Sequence, residues 1–193
     1  MSKFERIGVA VLVGALPFLQ GAAVERESTY GENVYVNCQY RFAAIFPRAP
    51  MVRDMTYTAS GKSAPAREFY VEQGANRFSV IIANFASGPA VDEQLVEAAA
   101  VPLRQTGKII YQAGDVYDPG IPGRQINVSQ PNGLQHRASV YMHDHRLYIT
   151  RSIAPEGNFP ALQFEQSVSI IDANGTDLDK NVGQPSRQYD CRR

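Results

Sequence analysis

The sequence has no tryptophan, only three histidines and two cysteines, and no excess of charge of either sign. Its 19 basic residues balance 19 acidic ones, which argues against the broad positive surface of a nucleic-acid-binding protein. The two cysteines, Cys38 and Cys191, have no other cysteine or histidine nearby in the sequence, so a zinc site or redox pair is not supported. A length of 193 residues fits one domain with a substantial core.

Catalytic motifs are also missing. No Gly-x-Ser-x-Gly sequence occurs, which argues against the nucleophile elbow of α/β-hydrolases. The run Gly61-Lys62-Ser63 resembles the end of a phosphate-binding loop, but Thr56 stands where that loop needs its first glycine. We therefore predict no catalytic residue and no cofactor, and the sequence assigns no cofactor-binding residue.

The N-terminus has the form of a cleavable export signal. Lys3 and Arg6 precede an apolar run over 7–19, and small residues follow at 21–23. We predict cleavage after Ala23, so that residues 1–23 are a signal peptide and the protein is periplasmic or secreted. An uncleaved anchor is the alternative, but the run is shorter than the roughly 20 residues that span a bilayer. No stable membrane insertion is expected after the signal is removed.

An exported chain with two cysteines favours a disulfide. A bridge between Cys38 and Cys191 would tie the C-terminal tail to the first strand. Two free thiols are the alternative, since Cys191 lies close to the chain end, where order is often lost.

The pattern along the chain predicts a flexible lead-in over 24–33, one domain over 34–172 and a polar tail over 173–193. We expect residues 174–193 to be largely extended or disordered apart from the tether at Cys191. Alternating or β-branched runs predict the strands. These strands are Val34–Phe46, Met51–Thr58, Arg67–Glu72, Arg77–Phe85, Lys108–Tyr117, Arg124–Ser129, Leu134–Met142 and Arg146–Ile153, and Ser169–Ile171 is a candidate for a short last strand.

Two segments have helical periodicity. Residues 92–101 begin with Asp92, a suitable N-cap, and Ser87 is a weaker N-cap candidate. Pro102 is expected to end or kink that helix. Asn158 is expected to cap a short helix with Pro160 in its first turn and Phe164 on its apolar side. The sequence predicts an α+β fold, a mostly antiparallel sheet of about seven or eight strands covered by two or three helices.

The histidines are the strongest candidates for metal binding or catalysis. His143-Asp144-His145 stands at a predicted hairpin turn, with His136 upstream on the leading strand. Two imidazoles beside a carboxylate could ligate zinc or copper, which makes His143 and His145 weak metal candidates. Aspartate is also the expected residue at a tight turn, and no third ligand is fixed, so a plain turn is favoured and no metal is predicted.

Tyrosine is abundant on the predicted strands. Packing is its default role there, because it suits half-buried sheet positions. An exposed tyrosine platform that binds a sugar or a partner is the alternative. The residues are Tyr35, Tyr40, Tyr57, Tyr70, Tyr111, Tyr117, Tyr141 and Tyr148.

Four segments together resemble the family of PsbP-like domains, over about residues 38–172. They are Tyr40–Pro47 as the opening strand and proline turn, Gly123–Ile126 as a mid-domain strand start, His145–Tyr148 as a hairpin strand, and Ala161–Ser167 as the closing helix. The family shares its fold with the extrinsic oxygen-evolving subunit of photosystem II and a Ran-binding import factor. The resemblance implies an α/β/α sandwich, with the antiparallel sheet between helices, and a role in binding or assembly rather than catalysis. It transfers no binding residue to this sequence.

Three functional hypotheses follow. The first is an exported non-enzymatic domain that binds a protein partner or small ligand, not nucleic acid, through one face or edge of its sheet. The second is a hydrolase or metal-dependent enzyme that uses His136, His143 and His145, which requires the three imidazoles to converge in one cleft. The third is a structural envelope protein attached through its disulfide and tail.

Overall fold

The computed structural model describes residues 34–86, 88–116, 120–179 and 185–191. The predicted signal peptide and lead-in lie outside these residues and stay predictions. In the described chain the fold is α+β, as predicted, with ten strands in two antiparallel sheets and two helices. The elements are β1 (Val34–Asn37), β2 (Phe42–Ile45), β3 (Met51–Ala59), β4 (Lys62–Gln73), β5 (Asn76–Asn84), α1 (Pro89–Arg104), β6 (Lys108–Val116), β7 (Pro122–Ser129), β8 (Leu134–His143), β9 (Arg146–Pro155), α2 (Phe159–Ser167) and β10 (Ser169–Ile170).

The main sheet has seven strands in the order β3-β4-β5-β9-β8-β7-β6. Short hairpin turns join β3 to β4, β4 to β5, β7 to β8 and β8 to β9, and every pair in the sheet is antiparallel. Successive side chains on a strand point to opposite faces, so the inner strands β4, β5, β8 and β9 each supply side chains to two separate cores. The sheet is therefore the middle layer of the molecule, as the sandwich prediction requires.

Helix α1 covers one face of this sheet, which we call the helix face. Its buried residues Leu95, Val96 and Ala99 pack on apolar side chains such as Ile126 and Val140. The opposite face, which we call the small-sheet face, is covered by α2 and by a three-stranded sheet in the order β1-β2-β10. Five phenylalanines are buried in that second core, namely Phe42, Phe46, Phe69, Phe78 and Phe164.

The strand predicted over Val34–Phe46 is wrong in one respect, because the chain reverses within it. Residues 38–41 form a turn, and β1 and β2 pair with each other across it. The Asn37 side-chain oxygen accepts a hydrogen bond from the Tyr40 backbone N–H at 2.9 Å, and Arg41 has φ 56°. An Asn side chain that bonds the backbone ahead of it is a turn signal, which the β-rich composition concealed.

The strand predicted over Arg67–Glu72 is too short, since β4 already begins at Lys62 and includes Pro65. Proline cannot donate to a ladder and is confined to strand positions where that donor is not needed. Pairing of β4 with β5 begins only at Ala66, so Pro65 has a partner strand on one side alone, opposite Thr56 of β3.

Helix α1 is longer than predicted at both ends. Gly88 is its N-cap, and the Asp92 carboxylate, one turn inside, accepts a hydrogen bond from the Gly88 N–H at 2.9 Å. Pro102 does not end the helix, which continues to Arg104. Proline in the last turn removes only one hydrogen bond there, and Arg104 is tied back to Glu97 by an ion pair. The second helix is capped by Asn158, as predicted, with its side chain accepting from the Ala161 N–H.

The C-terminal tail differs most from expectation, because its described parts, 172–179 and 185–191, fold against the domain. The Tyr189 N–H donates to Gly175 O at 2.8 Å, and the Leu178 N–H donates to Ile170 O at 2.9 Å. Gly175 has φ +86°, and a Cβ there would lie 2.2 Å from Tyr189 O, so the turn accepts no larger residue without strain. Tyr189 is buried with Val36, Ala43 and Ile171 in a third apolar cluster. A buried aromatic and a glycine turn therefore order a segment whose polar composition predicts disorder.

No helix among the described residues combines the length and hydropathy needed to cross a bilayer.

Candidate functional site

A group of charged side chains interrupts the apolar helix face of the sheet. Helix α1 packs mainly on β7 and β8, whereas this group lies on β3, β4, β5 and β9. Strand alternation places it there, because Glu68 and Tyr70 follow Ala64 and Ala66 on the same side of β4, and both alanines belong to the core under α1. We call Arg53, Glu68, Tyr70, Arg77 and Arg151 the arginine cluster.

Glu68 is the centre of the arginine cluster and is fully buried. One carboxylate oxygen, Oε1, accepts hydrogen bonds from Arg77 Nη2 at 2.9 Å and from Arg151 Nη2 at 3.0 Å. The other, Oε2, accepts from Arg53 Nε at 2.7 Å. Burial alone would raise the pKa of Glu68, but the hydrogen bonds and charges of these arginines outweigh it and hold the pKa below its ordinary value. Glu68 is therefore an anion at neutral pH.

Tyr70 lies between two of the guanidinium groups. Arg53 and Arg77 each place Cζ 5.1 Å from the centre of its ring. Arg77 also pairs with Glu72 at the exposed edge of the group. The ring thus holds two cations near Glu68 by cation–π attraction, and the phenol does not serve as an open stacking surface.

Arg151 belongs to β9, the middle strand of the main sheet. It is directly opposite Ser79 on the neighbouring strand, and Ser79 is in turn opposite Tyr70. Burial lowers the pKa of Arg151, while Glu68 acts in the opposite direction. Ser79 is fully buried, and its Oγ makes no hydrogen bond within the described part of the chain. A buried hydroxyl without a partner is uncommon in folded proteins, so its place beside Arg151 is notable.

His136 lies at the border between the arginine cluster and the end of α1. Its Nδ1 is 3.3 Å from Thr106 Oγ1, and its buried Nε2 makes no hydrogen bond among the described residues. Burial, with a smaller contribution from the charge of Arg151, lowers the pKa of His136 to about 4. The imidazole is therefore neutral at neutral pH.

This burial predicts a pH effect on stability. Because His136 binds a proton more weakly when folded than when unfolded, protonation of the unfolded chain destabilises the fold as the pH falls from about 6.5 to about 4. The loss attributable to His136 should approach roughly 3 kcal/mol at the lower end. Urea unfolding at a series of pH values should show a smaller loss in His136→Leu than in the wild type.

The control for this prediction is His145→Gln, since the His145 side chain is exposed. This variant should lose stability on acidification as the wild type does. Equal pH dependence in His136→Leu and the wild type would contradict the assignment.

The structure does not bring the three predicted histidines together. His136 and His143 point to opposite faces of β8 and stand on the order of 20 Å apart along it, since each residue advances about 3.3 Å. His145 is exposed in the hairpin turn, where Asp144 and His145 have φ 46° and 63°. Asp144 accepts there from Arg41 at 2.5 Å and from Arg146 at 3.0 Å, so its carboxylate is engaged in the turn.

No group of three or more metal-ligating side chains occurs among residues 34–86, 88–116, 120–179 and 185–191. His143 and His145 flank the tip of one hairpin, with Asp144 between them, and no third ligand from the described chain joins them. This arrangement supports a plain turn at this position. The three histidines do not share the common cleft that the enzyme hypothesis requires.

The predicted disulfide is present between Cys38 and Cys191, with the two Cα atoms 5.6 Å apart. It joins the β1–β2 turn to the last described residue of the tail, beside the buried Tyr189. The bridge therefore closes the third apolar cluster, on the opposite side of the molecule from the arginine cluster.

Sequence reasoning missed the arginine cluster, although a signal exists. The alternation of β3 puts Arg53 on the same side as Met55 and Tyr57, both packed against the core under α1. Arg151 likewise shares a side of β9 with the buried Leu147 and Ile149. A charged residue at a position that the pattern assigns to the core indicates either a buried ion pair or a site.

No protein-family model matches the chain, and no curated protein matches it. Among solved structures, the chain is similar to PsbP (CyanoP) from Synechocystis sp. PCC 6803, with a TM-score of 0.45 and 14% identity over 82% of this chain and 98% of that one. It is also similar to PA94 from Pseudomonas aeruginosa, a protein of unknown function, with a TM-score of 0.32 and 14% identity over 56% of this chain and 87% of that one. The first similarity is to the family that the sequence resembles, and it concerns the fold alone.

Proposed function

We propose that this protein is an exported, non-enzymatic domain that binds a protein partner or small ligand through the arginine cluster. The proposal rests on the convergence of Arg53, Arg77 and Arg151 on Glu68, on the helix face next to the apolar core under α1. Arginine is well suited to binding polar groups of a partner or ligand, because its planar guanidinium offers several hydrogen-bond donors in a fixed geometry.

Stability alone is a weak reason for this arrangement. Replacing a buried ion pair by packed apolar residues is often neutral or stabilising, because desolvation offsets the attraction. The side chains of Arg77 and Arg151 remain 26% and 29% exposed, so solvent and solutes reach them. A partly exposed cationic group on a rigid sheet is an arrangement suited to binding.

Two features support a location outside the cytoplasm. The N-terminal pattern is that of a cleaved signal, and the Cys38–Cys191 disulfide is the kind of bond that persists in oxidising compartments. The catalytic alternative has no comparable support, since His136 lies apart from His143 and His145.

Mass spectrometry of protein purified gently from its natural host's exported fraction tests the proposal. The denatured mass should correspond to a chain that begins at Val24 and should rise by two protons on reduction. The native spectrum should show an added mass that is lost in Arg151→Gln and kept in Arg67→Gln. The Arg67 side chain is also 29% exposed but belongs to the other face of β4, so it is a matched control.

Retention of Met1 in a cytosolic protein would overturn the exported role. An added mass that is absent from the wild type, or that is equally present in both arginine variants, would overturn binding at the arginine cluster.

A further inference from the structure

We propose that the arginine cluster binds the carboxylate or phosphate group of a small anionic ligand, which Arg77 and Arg151 hold together above Ser79. This inference rests on the proposed binding function and names the ligand chemistry of the same site.

The first argument is the convergence of donors. Arg77 Nη2 and Arg151 Nη2 reach the same oxygen of Glu68, at 2.9 and 3.0 Å, so two guanidinium groups from different strands lie side by side. Each guanidinium has five N–H donors in a fixed fork. Glu68 and Tyr70 fix the orientation of the guanidinium groups before a ligand binds, which reduces the conformational entropy lost when an oxyanion binds.

The second argument is charge. Three guanidinium groups face the carboxylates of Glu68 and Glu72 among the described residues, which leaves one positive charge in excess. Glu68 is buried beneath the arginines and Glu72 lies at the exposed edge of the group. A cationic ligand would meet the arginines and be repelled, whereas an anion neutralises the excess.

The third argument excludes a stacked sugar. A sugar would need an open aromatic ring, and Tyr70 is the aromatic residue within the arginine cluster. Arg53 and Arg77 both lie over its ring at 5.1 Å, so the ring is engaged with cations. The platform interpretation of the strand tyrosines therefore does not apply to Tyr70.

The fourth argument is the buried hydroxyl of Ser79. It lies between Tyr70 and Arg151 in one row across the sheet, is fully buried and has no hydrogen-bond partner among the described residues. A ligand oxygen bound between the guanidinium groups would accept its O–H and satisfy it. Ser79 thus supplies a neutral donor beneath two charged ones, a combination suited to an oxyanion.

The test is a titration with inorganic phosphate and with citrate at constant ionic strength, observed through the ¹⁵Nε–H signals of the arginine side chains. Saturable shifts are expected at Arg77 and Arg151 in the wild type. Arg151→Gln should weaken binding by about tenfold or more, since a hydrogen bond to a charged group is lost. Arg67→Gln should bind as the wild type does.

Two further variants keep the test decisive if Arg151→Gln folds poorly. Arg151→Lys retains the charge that faces Glu68 but loses the two-pronged fork, so binding should weaken while the fold persists. Glu68→Gln removes a carboxylate that competes with the ligand, so binding should tighten. Vesicles of phosphatidylglycerol, compared with phosphatidylcholine, distinguish a lipid headgroup from a free anion, and dependence on Arg151 in either form supports the site.

Equal responses in Arg151→Lys, Arg67→Gln and the wild type would overturn the inference. A co-purifying ligand that depends on Arg151, together with no response to either anion or to phosphatidylglycerol, would overturn the anion assignment and leave the binding function in place.

Discussion

Replacing Glu68 with alanine is expected to lower the free energy of unfolding by about 3 kcal/mol. Removing one partner of a buried ion pair leaves the other charge without compensation, which typically costs 3–5 kcal/mol. The lower end applies here because Arg77 and Arg151 are partly exposed and can turn toward water. Urea unfolding should show a lower midpoint with an unchanged slope.

Glu72→Ala is the matched control for this experiment. Glu72 lies on the same strand and face as Glu68 and also pairs with Arg77, but its side chain is 53% exposed. An exposed pair is worth at most about 1 kcal/mol, so this variant should remain close to the wild type. Equal losses in the two variants would mean that burial of Glu68 is not what makes its pairing important.

The second large effect is expected from the double variant Cys38→Ser, Cys191→Ser, which should unfold with a free energy lower by about 2–4 kcal/mol. The disulfide closes a loop with a sequence separation of 153, so the unfolded chain gains considerable freedom when it is removed. A bridge to a disordered tail would matter little, but this tail is folded against β1 and β10. The disulfide therefore stabilises the whole domain and not only the chain end.

Hydrogen exchange should show which part of the fold loses stability when the disulfide is removed. The amides of Asp177 and Tyr189, which donate to Arg187 O and Gly175 O, should lose protection in the double variant before the main sheet does. Tyr189→Ala with the disulfide intact separates packing from the covalent link, because it empties the third apolar cluster and keeps the bridge. A double variant as stable as the wild type would show that tail packing alone holds the chain end.

The sequence predicts the main sheet well where a local signal is strong. Asn132 and Gly133 indicate a hairpin turn, and in the structure Gly133 takes the left-handed position of that turn, with φ +79°. Asn158 indicates the start of α2 because an Asn side chain at this position can cap the helix. In the structure its Oδ1 accepts a hydrogen bond from the Ala161 N–H. These signals act over a few residues and do not depend on the rest of the chain.

The errors arise where local structure depends on contacts between residues that are far apart in the sequence. Pro65 argues against an early start of β4, and a strand is possible there because β5 does not pair with that part of β4. The tail reads as disordered until Tyr189 meets Val36 and Ile171, which are far away in the sequence. The arginine cluster combines both difficulties, since four strands must assemble before Glu68 has its partners. The sequence identifies His136 as a candidate for chemistry, but its burial depends on packing beside Thr106, which is 30 residues away in the sequence.

The described chain enters the fold at Val34 and leaves it at Cys191, and both points lie on the side of the main sheet opposite helix α1. A fluorophore, affinity handle or solid support attached near either point would stand away from Arg77 and Arg151. Immobilised protein would then present its guanidinium groups outward. Surface-based binding measurements should therefore be equally informative with the label at either end.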